Sequence, residues 1–165
     1  AIRSDYHSGT TWAPKGKTPV IKTTGARFSV NMLSAISSKE HMRFMVTDKT
    51  CTTVIFIDFL KRLLFKQERP VFLIVDGHPV HKSKMVKEYA ASTGGRLRIF
   101  YLPGYSPELN PDETVWSYVK HHVVGNNIIS GTEQFLRVVK EALYSLMHRP
   151  SIVSAFFRKP SLQYI

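Results

Sequence analysis

The chain has 165 residues, 43% of them hydrophobic and 12% aromatic, enough for one real core and too few for two ordinary domains. Its 23 Lys and Arg against 12 Asp and Glu leave a net charge of +11, a field that attracts polyanions such as nucleic acid, although the same balance also serves plain solubility. The lone Cys51 excludes an internal disulfide and a zinc cluster, and no apolar run suits a membrane span or signal peptide, so one cytoplasmic domain over residues 1–165 is expected.

Residues 8–25 carry Gly9, Pro14, Gly16, Pro19 and Gly25 between short extended pieces, which reads as a loop or hairpin with Lys15 and Lys17 near its tip. Residues 27–35 alternate, with Phe28, Val30 and Met32 on one side. A second strand follows at 41–46, antiparallel to the first across Ser37-Ser38-Lys39-Glu40. Residues 51–65 mix β-branched residues with Phe56, Leu60, Leu63 and Leu64 at helical spacing, and the length of the segment favours a helix. After Pro70, the run from Val71 to Val75 lacks polar alternation, the mark of a strand buried on both faces, and it ends at Asp76-Gly77. Val86, Tyr89 and Ala90 then mark a helix face with Lys82, Lys84 and Lys87 outside, closed by Gly94-Gly95. Residues 97–102 form another buried strand, and this strand, helix, strand order implies parallel pairing. Asn110-Pro111-Asp112-Glu113 opens the next helix with a cap, a first-turn proline and acids. Ser130-Gly131-Thr132-Glu133 reads as a capping box opening the last long helix, through Phe135, Val138, Val139, Ala142, Leu143 and Leu146. The class is α/β, with early antiparallel strands followed by parallel strands and crossover helices.

Asp76 closes a buried strand, and in open α/β sheets ligands bind at such carboxyl ends, although Asp-Gly is equally an ordinary turn. The proline-stiffened stretch 102–111 can hold the next helix N-terminus beside it. On that helix Val115, Val119 and His122 form the apolar stripe, Glu113 points away from it, and Asp112 rotates toward it and is the weaker ligand candidate. Glu113 suits either a capping box with Asn110 or, with Asp76, the shared oxygen ligation that Mg²⁺ or Mn²⁺ prefers. His78 and His81 lack a third zinc ligand, so hydrogen bonding near Asp76 or contact with a DNA phosphate fits them better. Lys82 and Lys84 suit a solvated face or a track along a DNA backbone. Tyr105, on the loop, suits base stacking, whereas Trp116 suits packing.

The stretch Phe72-Leu-Ile-Val-Asp76-Gly-His78-Pro-Val-His81-Lys-Ser-Lys, followed by Phe100-Tyr-Leu-Pro-Gly-Tyr105-Ser-Pro-Glu-Leu-Asn110-Pro-Asp-Glu113-Thr-Val-Trp116, resembles the catalytic core of the DDE transposases of the mariner superfamily, particularly their bacterial insertion-sequence branch. Gly9-Thr-Thr-Trp12-Ala-Pro14-Lys-Gly16 is similar to the loop after that family's first strand, so the likeness covers most of residues 1–150. The resemblance implies a ribonuclease-H-like mixed sheet with flanking helices, and three acids that bind two Mg²⁺ or Mn²⁺ ions for DNA cleavage and strand transfer. Asp76 becomes the second acid and Glu113 the third. Their separation of 37 positions slightly exceeds the branch's usual spacing, and Gly104 replaces a usual second proline. By the same resemblance the first aspartate, which ends the first strand, lies just upstream of Ala1, and Asp5 and Asp48 are poor substitutes. The first strand is then missing or incomplete, and the chain reads as a partial catalytic core with Lys15, Lys17, His78, Lys82, Lys84, Tyr105 and Lys120 toward DNA. The implied partners are transposon ends and target DNA, with a homodimer and a bacterial, nucleoid-associated location. The alternative is a catalytically dead, DNA-binding or self-associating remnant.

Overall fold

The computed structural model describes residues 1–5, 13–17, 26–122 and 129–162. Strand β1 is only Ile2–Arg3, β2 runs Ser29–Ile36 and β3 Met42–Thr47. They form an antiparallel sheet in the order β1-β2-β3, with Ile2 opposite Val30 and Leu33 opposite Met45. Helix α1 (Thr53–Leu64) starts at Thr52, whose hydroxyl accepts the Ile55 N–H, so the β-branched start of this segment is absorbed into a capped helix. Strand β4 (Val71–Val75) pairs parallel with β5 (Leu97–Tyr101) across α2 (Lys84–Ser92), as the strand, helix, strand pattern requires. Ser83 caps α2 by accepting the Val86 N–H, and Gly94 and Gly95 leave it at φ of +61° and +87°, which only glycine adopts without strain. Helices α3 (Asp112–His122), α4 (Thr132–Met147) and α5 (Pro150–Ala155) follow, with short 3-10 turns at Pro107–Leu109 and Pro160–Leu162.

Alternation along β2 sorts the core into two layers. Val30 and Met32 face Val115 and Val119 of α3, Phe135, Val139, Leu143 and Leu146 of α4, and Val153 of α5. Leu33 and Ala35 point to the other side, where Phe56, Phe59, Leu60 and Leu64 of α1 and Val86 of α2 meet Val75 and Leu97.

The expected mixed sheet with an incomplete first strand is what the chain shows: β1 has only two residues, and among the described residues no ladder joins β4-β5 to β1-β2-β3. Two expectations are corrected. The strands at 71–75 and 97–102 are not buried on both faces. Val75 and Leu97 pack inward, but Phe72 is 60% exposed and Phe100 49%, since α3, α4 and α5 cover only the first sheet on that side. The cap of α4 also differs. Ser130 gives both its N–H and its hydroxyl to Gln134 Oε1, at 2.8 and 2.6 Å, so Gln134 takes the part expected of Glu133. Of the loop or hairpin expected over residues 8–25, only 13–17 lie among the described residues.

Candidate functional site

A groove of about 280 Å³ separates the free edge of β2 from β4 and is floored by the start of α3. Asp76, His81, Asp112 and Glu113 line it, along with Ser34 from β2. The two acids expected from sequence therefore meet at one place, at the carboxyl end of β4 and the amino end of α3.

Asp76 is held by its own loop. Its Oδ1 accepts the His78 backbone N–H at 3.0 Å and lies 2.8 Å from Nδ1 of His81. Burial holds the His81 imidazole below its ordinary pKa, against the pull of the Asp76 charge, so the ring is neutral near pH 7 and donates Nδ1–H to the carboxylate. Phe56 lies against that ring at 4.4 Å between centroids, and Tyr101 donates its hydroxyl to the His81 carbonyl. One Asp76 oxygen is thus fixed in place while the side chain stays 55% exposed to the groove.

Glu113 does not complete a capping box. The Asn110 N–H bonds to the Pro107 carbonyl, and it is Asn110 Oδ1 that caps, accepting the Asp112 N–H at 3.1 Å. No hydrogen bond or ion pair engages the exposed Glu113 carboxylate among the described residues, so it is free to ligate. Asp112 turns inward, as its place on the helix predicts. Its Oδ2 accepts Ser34 Oγ–H at 2.8 Å and Trp116 Nε1–H at 3.2 Å, tying α3 to β2, while Oδ1 is buried without a partner. Burial, reinforced by the nearby charges of Glu113 and Asp76, pushes its pKa up to about 6.

The remaining expected residues are dispersed. Lys82 crosses Gly77, its Nζ 3.4 Å from where a Cβ would stand there, and lies over the Tyr101 ring at 5.7 Å. Lys84 is exposed and paired with Glu88 on α2. The His78 ring accepts the Val80 N–H and so shapes the loop. Tyr105 is fully exposed with φ of +56°. Lys15 and Lys17 are exposed on a turn closed by Lys17 N–H to Pro14 O, and Lys120 is half-buried on α3. Asp5 is engaged by Arg3 and Arg27, and neither it nor exposed Asp48 lines the groove. Among the described residues no cluster of three or more His, Cys, Asp or Glu side chains is arranged to hold a metal. Hydrogen bonding near Asp76, one of the two roles expected of His81, is the one the geometry gives it. Sequence reasoning missed Ser34, whose 78-residue separation from Asp112 leaves no local trace.

A family model described as DDE superfamily endonuclease matches residues 1–136. The chain is 25% identical over 144 residues to the uncharacterized 39 kDa protein of insertion element IS630 from Shigella sonnei, covering 86% of this chain and 42% of that protein. It superposes on the catalytic domain of Mos1 mariner transposase with a TM-score of 0.51 at 12% identity, covering 82% of this chain and 76% of that one. The crystal structure of the Mos1 mariner paired end complex with Mn gives 0.52 at 13%, covering 96% and 52%. The α/β architecture is therefore that of the mariner catalytic domain, and the chain spans less than half the length of its curated relative.

Proposed function

The chain belongs to the DDE superfamily endonucleases, and from that premise we propose that it forms the catalytic-core portion of an insertion-element transposase acting on DNA. The observation that carries this reading is the convergence of Asp76 and Glu113 on one groove, one carboxylate oriented by His81 and the other unengaged. Hard oxygen donors with accessible lone pairs fit Mg²⁺ or Mn²⁺, and Asp76 and Glu113 are the residues that would hold such an ion. When bound, the ion supplies Lewis-acid charge stabilisation and a nucleophilic oxygen for phosphodiester cleavage and strand transfer. The chain's own contribution is orientation. His81 fixes one Asp76 oxygen, Asn110 fixes the first turn of α3, and the Ser34 to Asp112 bond sets that turn against β2. Lys82, Lys84, Lys120, Lys15, Lys17, His78 and Tyr105 are the groups we assign to DNA, and a homodimer on transposon ends and target is the assembly this reading implies.

Calorimetric titration with Mn²⁺ tests it. Asp76→Asn and Glu113→Gln are each expected to weaken binding about tenfold or more while leaving the fold intact. Unchanged affinity in both would overturn the site. A second reading, a catalytically dead DNA-binding remnant, is favoured by Asp5 and Asp48 standing outside the groove and by Asp112 turning its Oδ2 to Ser34 and Trp116. A protein beginning at Ala1 is expected to bind Mn²⁺ yet show no strand transfer. Robust Mg²⁺-dependent cleavage of transposon ends by it would dismiss the remnant and show that another of these acids completes the site.

A further inference from the structure

The outward face of β4-β5 is apolar and edged by one cation. Parallel register sets Phe72 beside Arg98 and Ile74 beside Phe100, and this face carries a cation and no acid. The Phe72 and Phe100 rings stack at 6.1 Å with 28° between planes, and the Arg98 guanidinium lies over Phe72 at 5.8 Å. Phe72, Ile74 and Phe100 are 60%, 39% and 49% exposed, where an ordinary sheet face would be covered. With Leu102, Pro103 and Leu109 they line a shallow depression of about 410 Å³, and Asp76 follows β4 directly at its end.

We propose that this face is a stacking platform for unpaired bases of single-stranded DNA, with Arg98 neutralising the adjoining phosphate. A π-surface edged by a cation, on a chain of charge +11, matches a polyanion whose bases present flat rings. An aliphatic, uncharged face would instead suit a protein. The inference rests on the reading of the chain as a DNA-processing core and deepens it, because the platform lies beside the carboxylates and so holds a strand whose bases are unpaired near the site.

The test is fluorescence anisotropy of the full chain with a labelled oligothymidine of about 12 nucleotides and a hairpin duplex of similar length, in EDTA. Phe72→Ala and Phe100→Ala are each expected to weaken single-strand binding about fivefold or more, with duplex affinity changed less than about twofold. Phe100→Tyr, which keeps the ring, is expected to stay within about twofold of the parent, and Arg98→Gln to weaken single-strand binding and flatten its salt dependence. Equal loss on both ligands, or no loss with folded Phe100→Ala protein, overturns the platform. Light scattering that shows a parent dimer and a Phe100→Ala monomer with unchanged single-strand affinity overturns it too, in favour of a contact between copies. Mn²⁺ affinity of the Phe100→Ala protein is expected to equal the parent's, so failure of the metal site and failure of the platform are read separately.

Discussion

Asp112 lies one residue from Glu113, yet their environments diverge, because helical geometry turns one carboxylate into the protein and the other out to the groove. The buried Oδ1 of Asp112 has no partner, and the charges of Glu113 and Asp76 further disfavour its ionisation. With a folded pKa of about 6 against an ordinary 3.8, the native state keeps this proton after the unfolded state has lost it. Metal-free stability should therefore fall as pH rises from about 4 to about 6, and the penalty should stay constant above that. Asp112→Asn removes the ionisation while keeping an acceptor for Ser34 and Trp116. Urea unfolding in EDTA is expected to find it more stable than the parent by roughly 1 to 3 kcal/mol at pH 7.5, with the gain vanishing near pH 4. A gain that persists unchanged at pH 4 would show that the charge is not its source.

At the scale of elements, the start of α3 separates two jobs that one sequence pattern left merged. Asn110 caps the helix and Glu113 does not, so the two residues should fail differently. Asn110→Ala is expected to cost about 1 kcal/mol in chemical denaturation. Glu113→Gln is expected to leave denaturation unchanged within about 0.5 kcal/mol. If Glu113→Gln were the destabilising one, the capping-box assignment would be right after all. The places of Asp76 after a strand and of Glu113 in the first turn of a helix, and the inward turn of Asp112, were legible because each depends on local order, a strand end or a helical wheel. The exposure of Phe72 and Phe100 was not, since an unbroken apolar run tells only that a strand lacks polar alternation. What covers its second face is decided by where α3, α4 and α5 pack, and they pack on β1-β2-β3. The Gln134 cap was missed for a smaller reason, a one-residue shift in where α4 begins.

For the whole molecule, the charge of +11 makes the proposed DNA affinity a counterion-release property, expected to fall steeply between about 50 and 200 mM salt with little dependence on sequence; affinity unchanged by salt would remove charge as its basis. The division of the sheet gives a sharper test. Val71 N–H bonds to Arg96 O and Val75 O accepts Leu102 N–H, so Val71, Leu73 and Val75 spend their backbone groups on β5. In a parallel ladder the alternate residues, Phe72 and Ile74, aim theirs at the opposite edge. On β2, Ser37 N–H bonds to His41 O, and the same alternation commits Leu33 and Ala35 to β3 and turns Met32, Ser34 and Ile36 toward the groove. Five N–H groups from two strands thus face one groove with no ladder between them among the described residues. In a ribonuclease-H-like sheet a strand occupies that position, and buried backbone groups left unpaired cost about 1 to 3 kcal/mol each. Hydrogen exchange followed residue by residue is expected to alternate, with the amides of Met32, Ser34, Ile36, Phe72 and Ile74 exchanging much faster than those of Leu33, Ala35 and Leu73. Uniform protection along both strands would show that a strand pairs there in solution, and its dependence on protein concentration would then distinguish a second copy of the chain from the chain's own 18–23 segment.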